Sequence, residues 1–226
     1  MRFVDSSHSP GTIVVPMGSL ARFDEFYTSL EQTQVPHGTV LLKSRSAEIA
    51  YGLNSMIRRM QGDWVWILGD DHVWAPDLLL RLLDRQSPAI IPVVSSRIAP
   101  FVPVIWHGPI ETRTRYTWEE VWALNAEFPL PFGDVCGNAG LLVRKSVLSE
   151  ISDPWFEVGK VQPDCLHEDI HFAYKCGLRG IPIYIDCGLK MGHTTVVTVW
   201  PDQSIGCGTG VYLDVGSDRY PVRVFV

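Results

Sequence analysis

The segment Trp64-Val-Trp-Ile-Leu68, followed directly by Gly69-Asp70-Asp71-His72, is the most informative stretch of this chain. Its first five residues are aromatic, β-branched or aliphatic, which predicts a buried strand. A glycine, two carboxylates and an imidazole then stand where that strand ends. Because ligands of open α/β sheets bind beyond the carboxyl ends of the strands, the segment predicts a site at that edge.

Strands and helices alternate on both sides of this segment. Short apolar runs predict three more strands, at residues 12–16, 39–42 and 89–94. Apolar residues at helical spacing predict helices at residues 21–30, 47–60 and 77–85. This alternation predicts a three-layer α/β/α fold with a mostly parallel central sheet.

The second half of the chain has a less regular pattern. Prolines within residues 95–106 predict a loop or an edge strand. Helices are predicted at residues 118–125, 145–151 and 169–176, and strands at residues 140–143 and 181–185. The tail alternates and contains Val215-Gly-Ser-Asp218, which is typical of a hairpin turn. Since no repeat or linker divides the chain, residues 1–226 are predicted to form one domain.

The composition excludes several classes of protein. The 226 residues are 46% hydrophobic and 19% charged, which provides for a core and excludes global disorder. The formal net charge of −6 argues against a general nucleic-acid binder, because phosphate contacts require a basic face. The five cysteines form no CxxC pair and predict free thiols in a reducing compartment. With no evident secretory signal or membrane-spanning run, the sequence predicts a soluble cytoplasmic protein.

The cluster Asp70, Asp71 and His72 has two interpretations. Carboxylate oxygens suit Mg²⁺ or Mn²⁺, and the adjacent imidazole favours Mn²⁺. The alternative is a polar turn in which Asp71 caps a helix. His193 ends the glycine-bearing segment Gly188-Leu-Lys-Met-Gly-His193, where backbone can approach a ligand. Its alternative is a hydrogen-bonded structural histidine.

Two other segments could carry chemistry. Glu168 and Asp169 precede an apolar helix and are candidate general bases; alternatively, they stabilise the helix N-terminus by roughly 0.3–1 kcal/mol. The segment Gly137-Asn138-Ala139-Gly140 is a candidate close-approach loop before a strand. Trp155 is a candidate for stacking on a sugar, with core packing as the alternative.

In their order along the chain these motifs resemble the nucleotide-sugar-dependent glycosyltransferases of the GT-A fold, and within them the family-two-like group of bacterial and phage enzymes. The motifs are Pro16-Met17-Gly18 after a strand, Asn54 in a helix, ILGDDH, GNAGLLVRKSV, HEDIHFAYKCGLRG and KMGHTT. The resemblance covers roughly residues 11–195. Asp70-x-His72 departs from the usual Asp-x-Asp and resembles the Asp-x-His motif of polypeptide N-acetylgalactosaminyltransferases.

The resemblance implies a single GT-A (Rossmann-like) domain. It also implies that the protein transfers a sugar from a nucleoside-diphosphate donor, a UDP-linked sugar, to an acceptor hydroxyl. It implies a nucleotide-sugar half at residues 11–94, an acceptor half at residues 95–200 and a β tail at residues 201–226. An acceptor glycan, a protein side chain and a modified nucleic-acid base are all compatible with this small core.

The resemblance also implies roles for individual residues. Asp70, His72 and His193 would hold Mn²⁺ or Mg²⁺ between the donor phosphates, and Asp70 and Asp71 would face the donor ribose or sugar. The residues expected around the nucleoside are Pro16, Met17, Gly18, Ser44, Arg45 and Asn54, where Leu53 replaces the arginine that the family has before Asn54. Those expected at the donor sugar and acceptor are Gly137, Asn138, Ala139, Gly140 and Trp155. Asp169, with Glu168 beside it, would be the base of an inverting enzyme.

A competing motif is His167-Glu168-Asp169-Ile170-His171, which matches the H-E-x-x-H signature of zinc metallopeptidases. On a helix the two histidines would share a face, with Glu168 as the base. However, Pro163 lies just upstream, so His167 is predicted at or before the helix start, and no glutamate follows Glu168 as a third ligand. A third alternative is a non-catalytic GT-A-like domain that binds a nucleotide or glycan; the presence of both His72 and His193 argues against it.

Overall fold

The computed structural model describes residues 1–17, 23–46, 48–97, 101–108, 112–124, 127–131, 133–161, 164–194, 198–200, 210–215 and 218–222. Its helices are α1 Asp24–Gln32, α2 Ile49–Ile57, α3 Leu78–Asp84, α4 Trp118–Ala123, α5 Lys145–Glu150 and α6 Glu168–Leu178. Its strands are β1 Arg2–Val4, β2 Thr12–Met17, β3 Gln34–Pro36, β4 Val40–Arg45, β5 Trp64–Ile67, β6 His72–Trp74, β7 Ala89–Val94, β8 Ile105–His107, β9 Thr114–Arg115, β10 Glu127–Pro129, β11 Val135–Cys136, β12 Leu142–Arg144, β13 Gly159–Val161, β14 Asp164–Leu166, β15 Ile183–Thr194, β16 Thr198–Trp200, β17 Gly210–Val215 and β18 Asp218–Val222.

The main sheet is built around β5, the strand that precedes the Asp70-Asp71-His72 turn. Its strand order is β18-β17-β16-β15-β7-β12-β5-β2-β4, and β6 and β10 both pair with β15. Strands β4, β2 and β5 are parallel, as are β7 and β15, and β12 runs antiparallel between β5 and β7. The five strands therefore share one direction, and their carboxyl ends lie at one edge of the sheet. This confirms the predicted α/β fold with a mostly parallel central sheet.

Side chains alternate between the two faces of β5 and build two separate cores. Trp64 and Trp66, both fully buried, pack with α1 and α3 on one face. Val65 and Ile67 pack with α2, α5 and α6 on the other. Each fully buried aliphatic or aromatic side chain contributes roughly 1.5–3 kcal/mol relative to exposure. The three predicted layers and the predicted core positions of both tryptophans are therefore confirmed.

Strand β15 is the element that departs most from the sequence-based prediction. Only residues 181–185 were expected to be extended, and residues 188–193 were expected to form a glycine-bearing connection. Instead, one strand runs over Ile183–Thr194, with a bulge between Asp186 and Lys190. The buried Asp186 carboxylate is paired there with Arg85 Nε at 2.6 Å and accepts a hydrogen bond from Gly188 N. The paired and hydrogen-bonded bulge allows a polar, glycine-containing segment to continue the sheet.

Residues 95–141 add smaller elements on the α2 face of the sheet. Strands β11, β8 and β9 form an antiparallel sheet, and helix α4 begins with a capping box between Thr117 and Glu120. Ser95 is bridged to Pro103, and Ser96 N donates to Val102 O at 2.8 Å. Within the region that was predicted as a loop or edge strand, the described residues before and after the gap at 98–100 are thus paired with each other and lead into β8.

The remaining predictions about the chain concern its tail, its thiols and the membrane. Strands β17 and β18 pair antiparallel with Val215 opposite Asp218, as the hairpin prediction requires. Cys136, Cys176 and Cys187 are free thiols, while the side chains of the other two cysteines lie outside the described part of the chain. Within that part, every helix is too short or too polar to cross a lipid bilayer.

Candidate metal and donor site

Asp71, His72 and His193 meet at the carboxyl edge of the sheet. Asp71 lies in the turn after β5, His72 begins β6, and His193 is near the end of β15. Strands β6 and β15 are antiparallel with His72 directly opposite His193, and the two imidazoles stack with centroids 4.4 Å apart. One potential ligand atom from each of the three residues lies within 4.8 Å of the others. The extension of β15 therefore places a residue far along the chain beside the turn after β5.

Asp71 is the central member of this cluster. Its Oδ1 lies 3.1 Å from His72 Nδ1, and its Oδ2 lies 3.2 Å from His193 Nε2 and 2.6 Å from an Arg97 guanidinium nitrogen. Its backbone carbonyl accepts a hydrogen bond from Thr194 N at 2.7 Å, which fixes the turn against β15. Burial raises the pKa of Asp71, but the contacts with His193 and His72 outweigh it and hold the pKa well below its usual value. Asp71 is therefore ionised at neutral pH, as a carboxylate ligand would have to be.

Each histidine contributes one ring nitrogen to the group of potential ligand atoms. His193 Nδ1 lies 3.0 Å from Ser95 O, and since a carbonyl only accepts, Nδ1 carries the proton, so in the neutral ring the lone pair is on Nε2. Burial and the neighbouring His72 lower the pKa of His193, which favours the neutral, metal-binding imidazole. His72 is only 5% exposed, and within the described chain neither of its ring nitrogens makes a hydrogen bond. A bound cation would satisfy one of these two buried nitrogens.

Gly69 makes room for this arrangement and was not identified from the sequence as a site residue. A Cβ on Gly69 would lie 2.4 Å from His72 Nδ1 and 2.9 Å from Asp71 Oδ1. The His72 imidazole and the Asp71 carboxylate thus pack directly against the Gly69 backbone, where a side chain would collide with them. The glycine directly before the two aspartates was the available sequence signal.

The carboxylate in the cluster differs from the expected one. Asp70, His72 and His193 were the expected metal ligands, whereas the described residues that come together as potential ligands are Asp71, His72 and His193. Asp70 is partly buried in the same turn. Its expected contact with the donor stays a prediction.

Four of the six residues expected around the nucleoside lie at the ends of two neighbouring strands. Pro16 is paired with Ser44, and Met17 with Arg45, at the carboxyl ends of β2 and β4. These four residues therefore occupy the edge that also carries the Asp71 cluster. Gly18 lies outside the described residues.

Asn54 has contacts different from those expected. It is buried in α2; its amide nitrogen donates to Ala50 O at 2.8 Å and to Phe156 O at 2.5 Å, and its Oδ1 accepts from Phe156 N at 3.1 Å. These bonds connect α2 to the segment before β13. A role of Asn54 at the donor stays a prediction, and the contacts shown are with the protein itself.

Of the residues expected at the donor sugar and acceptor, Gly137 lies beside Asp169. A Cβ on Gly137 would lie 3.3 Å from Asp169 Oδ2, so the loop that begins there passes directly over this carboxylate. Gly140 has a φ of +71° and a Cβ there would lie 2.8 Å from Met191 Cε, so this end of the loop also requires glycine. Asn138 is partly buried and Ala139 is 9% exposed between them. The loop thus connects the surroundings of Asp169 with β15.

Asp169, the second residue of α6, has the electrostatics of a base. Burial and the neighbouring Glu168 charge raise the pKa of Asp169 to about 6, although Ile170 N donates to its Oδ1 at 2.7 Å. A carboxylate with a pKa near the working pH is suited to accept a proton. Trp155, expected to stack on an acceptor, packs partly against the core and donates its indole N–H to Leu148 O at 2.8 Å.

The H-E-x-x-H segment does not form a zinc site in the described structure. His167 is the N-cap of α6 with non-helical backbone, as its neighbouring proline predicts, and it is exposed. His171 Nδ1 lies 3.5 Å from Glu157 instead. Among the described residues, neither histidine belongs to a group of three potential ligands.

Comparison with known proteins identifies the family of this chain. The sequence model of a family described as glycosyl transferase family 2 matches residues 13–141, more than half of the chain. The chain belongs to glycosyl transferase family 2. The matched region includes the Asp71–His72 turn and the Gly137–Gly140 loop, whereas Asp169 and His193 follow it. The prediction of a GT-A glycosyltransferase is thereby confirmed.

Among solved structures, A197 resembles this family 2 chain in fold. A197 from STIV has a TM-score of 0.52 at 15% identity, with 89% of this chain and 91% of that chain covered. TarS 1–349 from S. aureus has a TM-score of 0.48 at 14% identity, with 82% of this chain and 58% of that chain covered. No curated protein sequence gives a significant match.

Proposed function

We propose that this family 2 glycosyltransferase uses Mn²⁺ or Mg²⁺, held by Asp71, His72 and His193, to transfer a sugar from a UDP-linked donor to an acceptor hydroxyl. The observation that carries the proposal is the meeting of these three side chains at the sheet edge where the ends of β2, β4 and β5 also lie. The Asp-x-His resemblance supports His72 and His193 as ligands, although it implies Asp70 rather than Asp71 as the carboxylate. The separation of a nucleotide-sugar half at residues 11–94 from an acceptor half at residues 95–200 is part of the proposal.

The residues present suit a divalent cation. A carboxylate and two imidazoles form a mixed oxygen and nitrogen donor set, which favours Mn²⁺ over Mg²⁺. The Nδ1–H of His193 is held by a backbone carbonyl, the usual support of a metal-bound histidine. When bound, the cation supplies positive charge to the departing diphosphate.

The protein's own residues provide the other half of the reaction. Asp169 Oδ2, next to Gly137, accepts the proton of the acceptor hydroxyl as that oxygen attacks the anomeric carbon. Its raised pKa of about 6 leaves it ionised at neutral pH, yet basic enough to take the proton. The Gly137–Gly140 loop has no bulky side chain at its ends and allows the sugar to approach the backbone.

Thermal unfolding in the presence of nucleotides tests this function. The protein is heated with a panel of nucleoside diphosphates and their sugars, each with and without Mn²⁺, and with Mg²⁺ and Zn²⁺ as alternative cations. A ligand at about 100 times its dissociation constant adds about 2.7 kcal/mol of apparent stability. We expect stabilisation by UDP and one UDP-sugar that requires Mn²⁺ or Mg²⁺. Stabilisation by Zn²⁺ alone, with no response to any nucleotide, would contradict the proposal.

A further inference from the structure

Arg97 makes a close polar contact with the candidate metal site. Its guanidinium nitrogen lies 2.6 Å from Asp71 Oδ2, the oxygen that also faces His193 Nε2 at 3.2 Å. The Arg97 side chain is 57% exposed, whereas that of Asp71 is 18% exposed. Arg97 therefore reaches onto the carboxylate from the solvent side.

The main chain that carries Arg97 is tied to the site, while its side chain is not enclosed. Ser95 O holds His193 Nδ1, and Ser96 N donates to Val102 O on the other side of the loop. Exposed side chains change rotamer within nanoseconds. Arg97 can therefore leave Asp71 by side-chain rotation alone, without disturbing the backbone that supports His193.

Arg97 and a divalent cation compete for the same carboxylate. A cation that is coordinated by Asp71, His72 and His193 takes lone pairs of Asp71, and it repels a guanidinium held within hydrogen-bond distance of the same oxygen. In the metal-free protein the guanidinium neutralises a carboxylate that is largely buried. Metal binding and the Arg97–Asp71 ion pair therefore oppose each other.

We propose that Arg97 is an exchangeable counter-ion, which pairs with Asp71 in the metal-free protein and moves onto the donor diphosphate once the metal is bound. This inference rests on the proposed function. After this rotation the guanidinium would still lie within one side-chain length of a diphosphate bound at the Asp71, His72 and His193 cluster. Its planar fork of N–H donors matches phosphate oxygens and binds them in a bidentate manner. Arg97 is thus assigned as a donor-positioning residue that the sequence did not reveal.

Two binding measurements on Arg97→Gln test this assignment. The electron paramagnetic resonance signal of free Mn²⁺ gives the Mn²⁺ affinity without nucleotide. We expect this affinity to increase by about twofold to fivefold, which is the range for loss of an exposed ion pair. UDP affinity, measured by calorimetry at saturating Mn²⁺, is expected to fall by about tenfold to hundredfold, the loss of a charged phosphate contact. Affinity for uridine, which has no phosphate, is expected to be unchanged.

Two further variants serve as controls. Arg59→Gln removes an exposed arginine between α2 and β5, at the opposite edge of the sheet, and should change neither affinity. Arg97→Lys keeps the charge without the fork, so it should bind Mn²⁺ like the wild type and UDP with intermediate affinity. Unchanged or weaker Mn²⁺ binding by Arg97→Gln, or unchanged UDP binding, would overturn the inference alone. Absence of Mn²⁺ and UDP binding in the wild type would overturn the proposed function with it.

Discussion

Replacement of Asn54 by alanine separates a structural role of this residue from a role at the donor. The side chain is 4% exposed and makes three hydrogen bonds, two of them to the backbone N–H and C=O of the fully buried Phe156. Each buried backbone group that loses its partner costs about 1–3 kcal/mol. For the two groups of Phe156, the free energy of unfolding is expected to fall by about 2–6 kcal/mol. At about 2–4 °C per kcal/mol for a chain of this size, the midpoint of thermal unfolding should fall by about 4–24 °C.

Urea denaturation followed by tryptophan fluorescence measures this change. Tyr51→Ala is the matched control, because Tyr51 is on the same helix and 65% exposed, and it should change stability by no more than about 0.5 kcal/mol. UDP affinity of the folded Asn54→Ala protein should equal that of the wild type. Wild-type stability combined with a loss of UDP affinity would refute the structural account and place Asn54 at the donor, as the family resemblance implies.

Two further predictions concern Asp169 and Gly69. With a pKa of about 6 for the ionised base, kcat/KM for sugar transfer should rise between pH 5 and pH 7 and then level off. Asp169→Asn should lower turnover by about 10²–10⁴-fold at unchanged UDP affinity, and equal loss of UDP affinity would move Asp169 to the donor site. Because the folded-state pKa is raised, ionisation of Asp169 costs stability above pH 6, so Asp169→Asn should unfold at the same or a higher temperature than the wild type at pH 8. Gly69→Ala places a methyl 2.4 Å from His72 Nδ1 and should weaken Mn²⁺ binding by about tenfold or more with an unchanged circular dichroism spectrum; wild-type affinity would show that the cluster tolerates the methyl group.

The central part of the fold could be predicted because the pattern of apolar residues along each element matches the surfaces that the element buries in the folded protein. Residues 12–16, 64–68 and 89–94 are short apolar runs, and the structure places strands β2, β5 and β7 at these positions. Helices α1 to α3 follow from apolar residues at helical spacing. The continuous apolar runs are strands buried on both faces, and the periodic segments are helices buried on one face against the sheet.

Strands β6 and β15 show where local pattern fails. The three residues of β6 follow a polar turn, and the later part of β15 contains glycine, lysine and histidine, none of which favours a strand. Their extended form depends on pairing with each other, together with the paired Asp186 in the bulge. Such pairing joins residues about 120 positions apart and has no local signal.

The candidate site was predictable in its chemistry and less so in its membership. A carboxylate and two histidines were expected, but two adjacent aspartates cannot be distinguished by residue type, and the structure places Asp71 in the cluster. Arg97 lies in a proline-flanked segment, and only the tertiary structure shows that it reaches Asp71.

The most direct test of the account is Mn²⁺ binding to the wild type and to variants of the two aspartates and two histidines. Electron paramagnetic resonance of free Mn²⁺, with and without UDP, gives the stoichiometry and affinity, and circular dichroism confirms folding. The account predicts one Mn²⁺ per wild-type chain, bound more tightly with UDP, and its loss in Asp71→Ala, His72→Ala and His193→Ala. Asp70→Ala should retain Mn²⁺ when no nucleotide is present. Retention of wild-type Mn²⁺ affinity by folded His72→Ala or His193→Ala would contradict the account.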